Sequence, residues 1–518
     1  MGTDSGDGGS TLVEFGIDDR PPLSTSLLLG VQHYLTMVGA NIAVPLILAN
    51  LMGMPGDVTA KFVGTFFVVS GLATLAQTTI GNRYPIVQGA PFSMLAPGIT
   101  IVLAAPAIAG MPDWNAKLLF LQGAIIVASL AEVAIGYFGI VGKLRQYISP
   151  VVVAPVVALI GLSLFQAPQF SSATANWYLV LLTLGLIVLF SQYLGDAHRV
   201  FDLFPVLLGI AAAWVIALVG SLAGVIAPGT AGYIDLSSLA TDQLIFVPYP
   251  LMWGTPRFET AFIIGMFAGV LASIVESFAD YHAVARMSGV GAPSKKRINH
   301  GIGMEGLANV FSGLMGTGGS TSYSENIGAI GLTGVASRFV IQIGAAAMIL
   351  VGVIPLFGKI IATMPAPIVG GLYIAMFGQI VAVGLSNLKY VDLDSSRNLF
   401  IIGVAVFAGM AVPAYMGNVD AAAQGMDSVA SGQELFTQGL AGVPVLGSVL
   451  GSSAVAGTLY IILKTHMAVG GVIALFLDNT VAGTPEARGL SAWADIAEGE
   501  ADFRSFPERV RGRAPADD

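Results

Sequence analysis

Fifty consecutive residues of this chain, 146–195, contain no Asp, Glu, Lys or Arg. Over all 518 residues only 10 % are charged and 55 % are hydrophobic, whereas an ordinary soluble domain is about 25 % charged. A bilayer-spanning helix needs about 20 apolar residues, and backbone groups in lipid must be hydrogen-bonded within the protein. The sequence therefore predicts an all-α polytopic membrane protein.

The composition also excludes several kinds of site. The chain has no Cys, which excludes disulfides, thiolate zinc sites and iron–sulfur clusters. It has no basic stripe, so nucleic acid is not an expected partner. Its Gly-rich run 316–321 lacks the Gly-Lys ending of a phosphate-binding loop, and it has no Gly-x-Ser-x-Gly elbow. We therefore predict neither an enzyme nor a bound metal or other cofactor.

The apolar stretches indicate about fourteen spans, with the last stretch, 441–478, broken near Lys464. Lys and Arg favour short cytoplasmic loops. With the N-terminus inside, the inner loops hold eleven such residues and the outer loops four. The inner ones are Arg83, Lys143, Arg145, Arg199, Arg286, Lys295, Lys296, Arg297, Arg338, Lys389 and Arg397, and the outer ones are Lys61, Lys117, Arg257 and Lys359. We predict that both chain ends are cytoplasmic, in the cell membrane.

Most of the net charge of −9 lies at the two ends. Residues 1–20 hold five acids and one Arg, which gives −4, and residues 486–518 hold eight acids and five Arg, which gives −3. Only −2 remains for the 465 residues between them. We therefore predict an acidic cytoplasmic tail over 1–22, a membrane-embedded body over 23–485 and a charged cytoplasmic tail over 486–518.

Two apolar segments cannot be continuous helices. Residues 86–109 contain Pro91, Pro97 and Pro106, and residues 313–335 open with a Gly-rich run; Pro removes a helical hydrogen bond and Gly is a poor helix former. The two segments are also similar, since 96–100 (Ala-Pro-Gly-Ile-Thr) matches 329–333 (Ala-Ile-Gly-Leu-Thr) at an offset of 233 residues. Paired broken segments in matching halves are typical of inverted-repeat transporters with the substrate site at the breaks.

Ionisable residues inside apolar segments are costly and are candidates for function; here they are Glu132, Glu276, Asp280, Glu305 and Glu325. Glu276 and Asp280 are four residues apart and therefore share one helix face. Glu325 follows the Gly-rich run and opens a half-helix whose first N–H groups lack helical partners. Such a carboxylate beside N–H donors can bind a planar ligand that carries both N–H and C=O groups.

Each of these residues also has a structural interpretation. Glu276 and Asp280 can mark a helix end near the cytoplasmic surface, with Arg286 as their partner. Glu325 can stabilise the positive end of a helix dipole, and Glu132 and Glu305 can be structural or face water. His33 is expected to face the bundle interior, with a direct ligand role as the alternative.

These motifs resemble the nucleobase–ascorbate transporter family, the xanthine and uracil permeases. The family signature opens with Gln, Glu or Pro before Asn-x-Gly and has Thr five residues after that Gly, and here 325–334 reads Glu-Asn-Ile-Gly-Ala-Ile-Gly-Leu-Thr-Gly. Its last position, commonly basic in the family, is Gly334. Residues 30–33 (Gly-Val-Gln-His) and 88–92 (Gln-Gly-Ala-Pro-Phe) and the Glu276–Asp280 pair extend the resemblance over about 22–490.

The resemblance implies a fold and a movement. It implies fourteen spans in two inverted seven-helix repeats, with short extended pieces in segments 3 and 10. A core domain, about 27–139 and 260–356, would move like an elevator against a gate domain, about 148–227 and 364–478. The resemblance also implies a homodimer through the gate domain.

The resemblance implies that a nucleobase binds between segments 3 and 10. Glu276 and Glu325 would bond the edge of the base, backbone N–H groups near Phe92 and Ser324 would bind its carbonyls, and the Phe92 ring would pack on it. Asn326 joins this substrate-binding set, and Asp280 with Glu276 would carry proton coupling. Supporting roles fall to Gln88, His33, Gly328, Thr333 and Glu305.

The substrate and the coupling ion stay open at this point. Glu325 favours uracil, because xanthine and urate carriers often have Gln there, and xanthine or another purine is the alternative. A proton is the expected coupling ion and sodium the alternative; Asp280 stands where uracil permeases commonly have His. An anion transporter of the same seven-plus-seven fold is the rival function, but Glu325 would repel an anion from the half-helix N-terminus that would have to hold it.

Overall fold

The computed structural model describes residues 13–141, 147–164, 175–239, 243–426, 429, 431–490, 503–505 and 508–509. Lys143 and Arg145 of the predicted inner loops lie outside these residues. The first half of the chain forms α1 (Leu23–Leu35), α2 (Val38–Met52), α3 (Gly56–Thr79), β1 (Gln88–Gly89), α4 (Phe92–Ala104), α5 (Asp113–Tyr137), α6 (Pro150–Ser163), α7 (Trp177–Val188), α8 (Arg199–Leu203) and α9 (Pro205–Leu222).

The second half repeats the plan of long helices around one short strand. It forms α10 (Thr260–Met287), α11 (Lys295–Met315), β2 (Thr321–Ser322), α12 (Ser324–Thr333), α13 (Arg338–Gly352), α14 (Pro355–Ala362), α15 (Ala366–Ser386), α16 (Ser396–Gln424), α17 (Gly432–Ala441), α18 (Gly447–Leu450), α19 (Ser453–Lys464) and α20 (His466–Thr480).

Apolar helices long enough to span a bilayer dominate the described residues. Six of them are single helices that pass this test, and the count rises to eight if α13 with α14, and α19 with α20, each form one bent span. Shorter apolar helices, α2, α4, α6 and α7 among them, add to this set. The predicted break near Lys464 is confirmed, because the chain turns by 95° between α19 and α20. The number of fourteen spans stays a prediction.

Both predicted helix breaks are present, and they meet each other. β1 and β2 pair antiparallel, with Gln88 opposite Ser322 and Gly89 opposite Thr321. The 233-residue offset of the sequence repeat relates Gln88 to Thr321 and Gly89 to Ser322, so β1 and β2 occupy the same place in the two repeats. Gln88 therefore pairs with the residue that corresponds to Gly89 in the second repeat, and Gly89 pairs with the residue that corresponds to Gln88. A twofold axis through the strand pair requires this exchange. The pair supports the inverted arrangement of the two halves.

The prolines of the third segment differ in effect. The extended break lies at residues 88–91, immediately before α4, and Pro91 is the N-cap of that helix. Pro97 lies inside α4 without ending it. Its ring packs against Gly269 of α10, where a Cβ atom would lie 2.9 Å from the Pro97 Cγ. Pro97 cannot donate a helical hydrogen bond, and α4 tolerates this loss where it packs against α10.

Gly89 is required by close packing at the strand pair. A Cβ atom there would lie 1.8 Å from Cε2 of Tyr323, whose hydroxyl donates to the Ala90 carbonyl at 2.7 Å. We expect Gly89→Ala to displace the ring and to destabilise the protein by about 1–3 kcal/mol. Thermal unfolding in detergent measures this. Gly403→Ala in α16, where a Cβ atom meets open space, is the control; an equal melting temperature for both variants would contradict the packing argument.

The helices pack as two groups. In one group α5 packs on α10 and α11, while α3 and α1 pack on α13. In the other, α6 packs on α15, α16 and α20, and α7 packs on α9 and α15. Each of these contacts joins helices of one expected range, core or gate, while α10 of the core range also packs on α19 of the gate range. The division into a moving and a fixed domain stays a prediction.

Segments from both chain ends meet basic residues at one end of the molecule, here named the tail face. Asp18 pairs with Arg338 at 2.6 Å and with Arg83 at 3.8 Å, and Arg297 lies over the Phe503 ring, 4.9 Å from its centroid. Lys296 pairs with Glu508. All four basic residues belong to the predicted inner loops, which is the arrangement that the predicted topology requires of two chain ends on one side.

The contact of Glu508 on the tail face predicts that the C-terminal tail stays docked between pH 7 and pH 5. The hydrogen bond from Lys296 lowers the pKa of the Glu508 carboxyl from 4.5 to about 2. A lowered folded-state pKa gives stabilisation that is present above the unfolded value and is lost as the pH falls through the folded one. We therefore expect limited proteolysis to cut the C-terminal tail equally slowly at pH 7 and pH 5. Glu508→Gln should speed cleavage at both pH values; wild-type cleavage that rises at pH 5 would contradict the assignment.

Candidate functional site

A cavity of about 440 Å³ lies between the two helix groups, next to the strand pair. Its wall on the predicted core side is formed by Ala90, Phe92, Ser93, Glu276, Thr321, Tyr323, Ser324 and Glu325. Its wall on the predicted gate side is formed by Val157, Ile160, Met376, Gln379, Ile380, Ala382, Val383 and Ser386. Polar groups thus concentrate on the core wall, while the gate wall is mostly apolar.

The cavity is open beside the last turns of α15. Ala382, Val383 and Ser386 line it and are solvent-exposed. The helix then leads into Lys389 and Arg397, which belong to the predicted inner loops. Under the predicted topology this opening faces the cytoplasm.

Two half-helices begin at the cavity. Phe92 is the first residue of α4 and Ser324 the first of α12, and both line the cavity. The first N–H groups of a helix have no partner within it, and the positive end of the helix dipole adds to their attraction for a carbonyl oxygen. Both breaks therefore supply hydrogen-bond donors to the same space.

The predicted carboxylates converge on these helix ends. Glu325 lies in the first turn of α12, and Glu276 of α10 lines the same cavity. Asp280, one turn further along α10, accepts a hydrogen bond from the Ser324 hydroxyl at 2.7 Å. Asp280 is thus joined to the site through Ser324 and does not itself line the cavity. The surface interpretation with Arg286 as partner does not fit Asp280, which is buried and bonded to Ser324.

Glu305 of α11 lies beneath the strand pair and holds it. Its carboxylate accepts hydrogen bonds from five hydroxyl groups at 2.6 to 3.3 Å, those of Ser273, Ser277, Tyr281, Thr321 and Ser322. Three of these donors lie on α10 and two on β2. The side chain is buried and does not line the cavity, so we assign Glu305 a positioning role for the elements that carry Glu276 and Ser324.

Asn326 and Gln88 connect the two halves of the chain. The Asn326 side chain accepts from the Val87 N–H and donates to the Pro85 carbonyl, both at 3.1 Å. The Gln88 amide donates to the Ser322 hydroxyl at 3.0 Å. Neither side chain is among the residues that line the cavity. The contacts support a positioning role for both, while direct substrate contact by Asn326 stays a prediction.

The bonds of Asn326 lead to a test by substitution. Asn326→Ala leaves a buried N–H and a buried carbonyl unpaired, at a cost of about 1–3 kcal/mol each. We expect a lower melting temperature in the absence of any substrate. Asn50→Ala removes the same side chain from an exposed position and should leave the melting temperature unchanged. An Asn326 variant of normal thermal stability that binds substrate poorly would instead support direct contact.

The remaining predicted residues lie around the site. His33 is buried in α1. Thr333 ends α12, where its hydroxyl donates to the Ala329 carbonyl at 2.7 Å, and Gly328 lies within that helix with open space beside it. Glu132 accepts from the Asn309 amide at 2.9 Å, and Asn309 in turn accepts from the Ser320 N–H of the Gly-rich run. Glu132 therefore supports the break from behind.

Four polar residues that line the cavity have no distinguishing pattern in the sequence. Tyr323 and Ser93 line the cavity on the core side, and Gln379 and Ser386 on the gate side. The donors to Glu305 did have a signal, because Ser273, Ser277 and Tyr281 recur every four residues and so form one polar row on a helix. This row lies next to the row of Glu276 and Asp280.

Comparison with known proteins decides the family. The sequence profile of a permease family, the xanthine and uracil permeases, matches residues 24–417. Solute carrier family 23 member 2 of Mus musculus is 38 % identical, over 92 % of this chain and 76 % of its own length. Nucleobase-ascorbate transporter 1 of Arabidopsis thaliana is 31 % identical, over 95 % of this chain and 94 % of its own. The chain belongs to the nucleobase-ascorbate transporter family. As a member of this family it is a multi-pass membrane transporter and not an enzyme.

Solved structures show the same fold at low sequence identity. The transmembrane domain of a cyanobacterium bicarbonate transporter, BicA, is similar with a TM-score of 0.53 and 15 % identity, over 76 % of this chain and 96 % of its own. The murine anion transporter Solute Carrier 26 family member A9, in the inward-facing state, gives 0.54 and 13 % over 76 % of this chain and 66 % of its own. At these identities the comparison shows a shared fold, and the substrates of these proteins carry no argument for the substrate of this chain.

Proposed function

We propose that this transporter imports a neutral nucleobase across the cell membrane together with a proton. The observation that carries the proposal is the core wall of the cavity, where Glu276 and Glu325 face the N-termini of α4 and α12 beside the Phe92 ring. No Lys or Arg is among the described residues that line this cavity. Acceptors, donors and an aromatic surface are thus combined in one apolar space.

This set of groups matches the edge of a nucleobase. Carboxylates accept hydrogen bonds from ring N–H groups, and backbone N–H groups at Phe92 and Ser324 donate to ring carbonyls. A base that leaves water must regain these bonds, because an unpaired polar group costs several kcal/mol in an apolar site. The Phe92 ring offers a face on which a planar base can stack. Uracil is the favoured substrate on account of Glu325, with xanthine or another purine as the alternative.

The carboxylates argue against an anionic substrate. Ascorbate, sulfate and bicarbonate are anions at neutral pH, and Glu276 and Glu325 would repel them in a space that holds no basic side chain among its described lining. Like charges close together in a low-dielectric site are unfavourable. A neutral base avoids this cost, so the anion transporter of the same fold is not favoured.

The same residues supply a route for the coupling ion. Glu276 lines the cavity, and Asp280 joins it through the Ser324 hydroxyl. A proton on this pair removes a buried charge and lets the loaded core slide along the apolar gate wall; sodium is the alternative ion. We infer that the cavity opens to the cytoplasm, with both chain ends on that side, and that the core moves against the gate. A homodimer through the gate domain stays a prediction.

Uptake into proteoliposomes tests the proposal. We expect saturable uptake of radiolabelled uracil, or of a purine base, that rises when the lumen is alkaline relative to the outside. Unlabelled base should compete, and ascorbate, sulfate and bicarbonate should not. Competition by sulfate or bicarbonate instead of bases would overturn the proposal in favour of an anion carrier.

A further inference from the structure

A second cavity, of about 190 Å³, lies at the other end of α4. The first cavity reaches α4 at Phe92, whereas the second is lined by Ala96, Ile99 and Thr100 of the same helix. Its opposite wall comes from the predicted gate and includes Asp420 of α16, Lys464 of α19 and His466 of α20. The two cavities thus lie along one core helix, on the boundary between core and gate.

The gate wall of the second cavity carries charged side chains, whereas that of the first is mostly apolar, with Gln379 and Ser386 as its polar residues. Asp420 accepts from Lys464 Nζ at 2.6 Å and from the Tyr460 hydroxyl. The buried Nε2 atom of His466 has no hydrogen-bond partner among the described residues. These groups surround the 95° bend between α19 and α20. The core wall facing them is apolar apart from Thr100, whose hydroxyl donates to the Ala96 carbonyl of its own helix.

Charged side chains at a boundary between packed helices are costly unless they are paired, and they are candidates for function. Among the described residues of the core, none that lines this cavity bonds to the polar cluster of Asp420, Lys464 and His466. A polar ligand in this cavity could form hydrogen bonds with the unpaired Nε2 atom of His466 and with the ion pair of Asp420 and Lys464. A polar surface brought opposite the cluster would supply partners that the present wall does not offer.

The spacing along α4 shows which wall that is. A helix rises 1.5 Å per residue, so Ala96 lies about 6 Å and Thr100 about 12 Å beyond Phe92 along the axis. If the core slides by one to two helical turns relative to the gate, Phe92 takes the place now held by Ala96 to Thr100. The base bound at Phe92, Glu276 and Ser324 then faces Asp420, Lys464 and His466.

We propose that Asp420, Lys464 and His466 form the gate-side wall of the substrate site in the opposite, outward-facing state, where they bind the free polar edge of the base. The inference rests on the proposed function. It adds to that function three residues that contact the base only in the outward-facing state. The apolar gate wall of the first cavity would favour release, and the polar wall of the second would favour capture.

Sided kinetics test the proposal. Lys464→Met and Asp420→Asn should each raise the KM for uptake into intact cells by about 10-fold, the effect of one lost bond to a charged group. The KM measured in inside-out vesicles, where the tail face meets the substrate, should change less than about twofold. Arg257→Met removes an exposed basic residue of the predicted outer loops that lines neither cavity and should leave the KM at the wild-type value on both sides. The exchanged pair Asp420→Lys with Lys464→Asp restores an ion pair but reverses its orientation, so a purely structural pair would be rescued and a substrate-binding one would not.

Thiol labelling tests the geometry independently of transport, because the natural chain contains no Cys. Gly417 lines the second cavity and a Cβ atom there meets open space, so Gly417→Cys is tolerated sterically. A membrane-impermeant maleimide added to cells should label Gly417→Cys, and saturating base should slow the labelling. Ser386→Cys, on the first cavity, should react only in inside-out vesicles.

The outcomes separate the two proposals. Equal changes of KM on both sides, rescue by the exchanged pair, or unchanged KM in every variant would overturn the role of the cluster while wild-type transport stands. Absence of Gly417→Cys labelling from the cell exterior would overturn it on geometric grounds. Failure of the wild type to carry any nucleobase, with normal labelling, would overturn the proposed function instead.

Discussion

Glu325→Gln and Glu276→Gln are each expected to lower uptake of the base by about 100-fold or to shift the preference to another base. Each substitution removes the negative charge and replaces one of the two acceptor oxygens by an NH2 group that donates two hydrogen bonds. A ring N–H that faces such an amide donor loses its bond and stays unpaired in the cavity, which costs about 1.5–3 kcal/mol for a bond to a charged group. A base with an acceptor at that edge would gain the bond that the first one lost.

The measurement is initial-rate uptake in a host that lacks its own nucleobase carriers, with uracil, xanthine, guanine and adenine in parallel. Glu14→Gln makes the same change on an exposed side chain of the tail face and should transport normally. Membrane levels of each variant are compared by immunoblot. Near-normal uptake with unchanged preference in either cavity variant would remove the residue from the site.

Glu305→Ala is expected to destabilise the protein by about 3–5 kcal/mol and to abolish binding, although Glu305 does not line the cavity. Five hydroxyl groups donate to this carboxylate, and its removal leaves buried donors without an acceptor. The donors belong to α10 and β2, which carry Glu276 and lead directly into Ser324. Loss of the carboxylate should therefore loosen both sides of the site.

Glu132 provides a matched control for Glu305. It is also a buried glutamate of the core, but among the described residues only Asn309 donates a hydrogen bond to its carboxylate. Glu132→Ala should lower the melting temperature less than Glu305→Ala, and Glu305→Gln, which keeps one acceptor oxygen, should fall between Glu305→Ala and the wild type. Equal destabilisation by both alanine variants would contradict the view that Glu305 organises the strand pair.

Part of this architecture was predictable from the sequence because the bilayer restricts it so strongly. The absence of charge over 146–195 predicts spans, and Pro and Gly at matching places predict two breaks. The register of the β1–β2 pair was not predictable, because two residues per strand carry no alternation that sets it. The register is given by the pairing of Gln88 with Ser322 in the folded chain, and this pairing agrees with the 233-residue offset between the repeats.

The site was predictable where a residue type is anomalous for its surroundings. Glu276 and Glu325 are conspicuous in apolar segments, and both line the cavity. Glu305 is equally conspicuous, but its role depends on donors from α10 and β2 that only the folded chain brings together. Apolar cavity residues such as Val157 and Ile160 carry no signal at all, because a lipid-facing and a cavity-facing aliphatic residue look alike in sequence.

Binding of a neutral nucleobase by Glu276 and Glu325 is tested most directly by the thermal stability of the purified protein in the presence of candidate ligands. A ligand that binds only the folded state raises the apparent stability, by about 2.7 kcal/mol at 100 times its Kd. The panel is uracil, xanthine, urate, guanine, adenine and ascorbate at equal concentrations. We predict that at least one neutral nucleobase, uracil first, raises the melting temperature, and that the increase is smaller for Glu276→Gln and Glu325→Gln. If ascorbate alone raised the melting temperature, or if none of the bases did, the result would contradict nucleobase binding at this site.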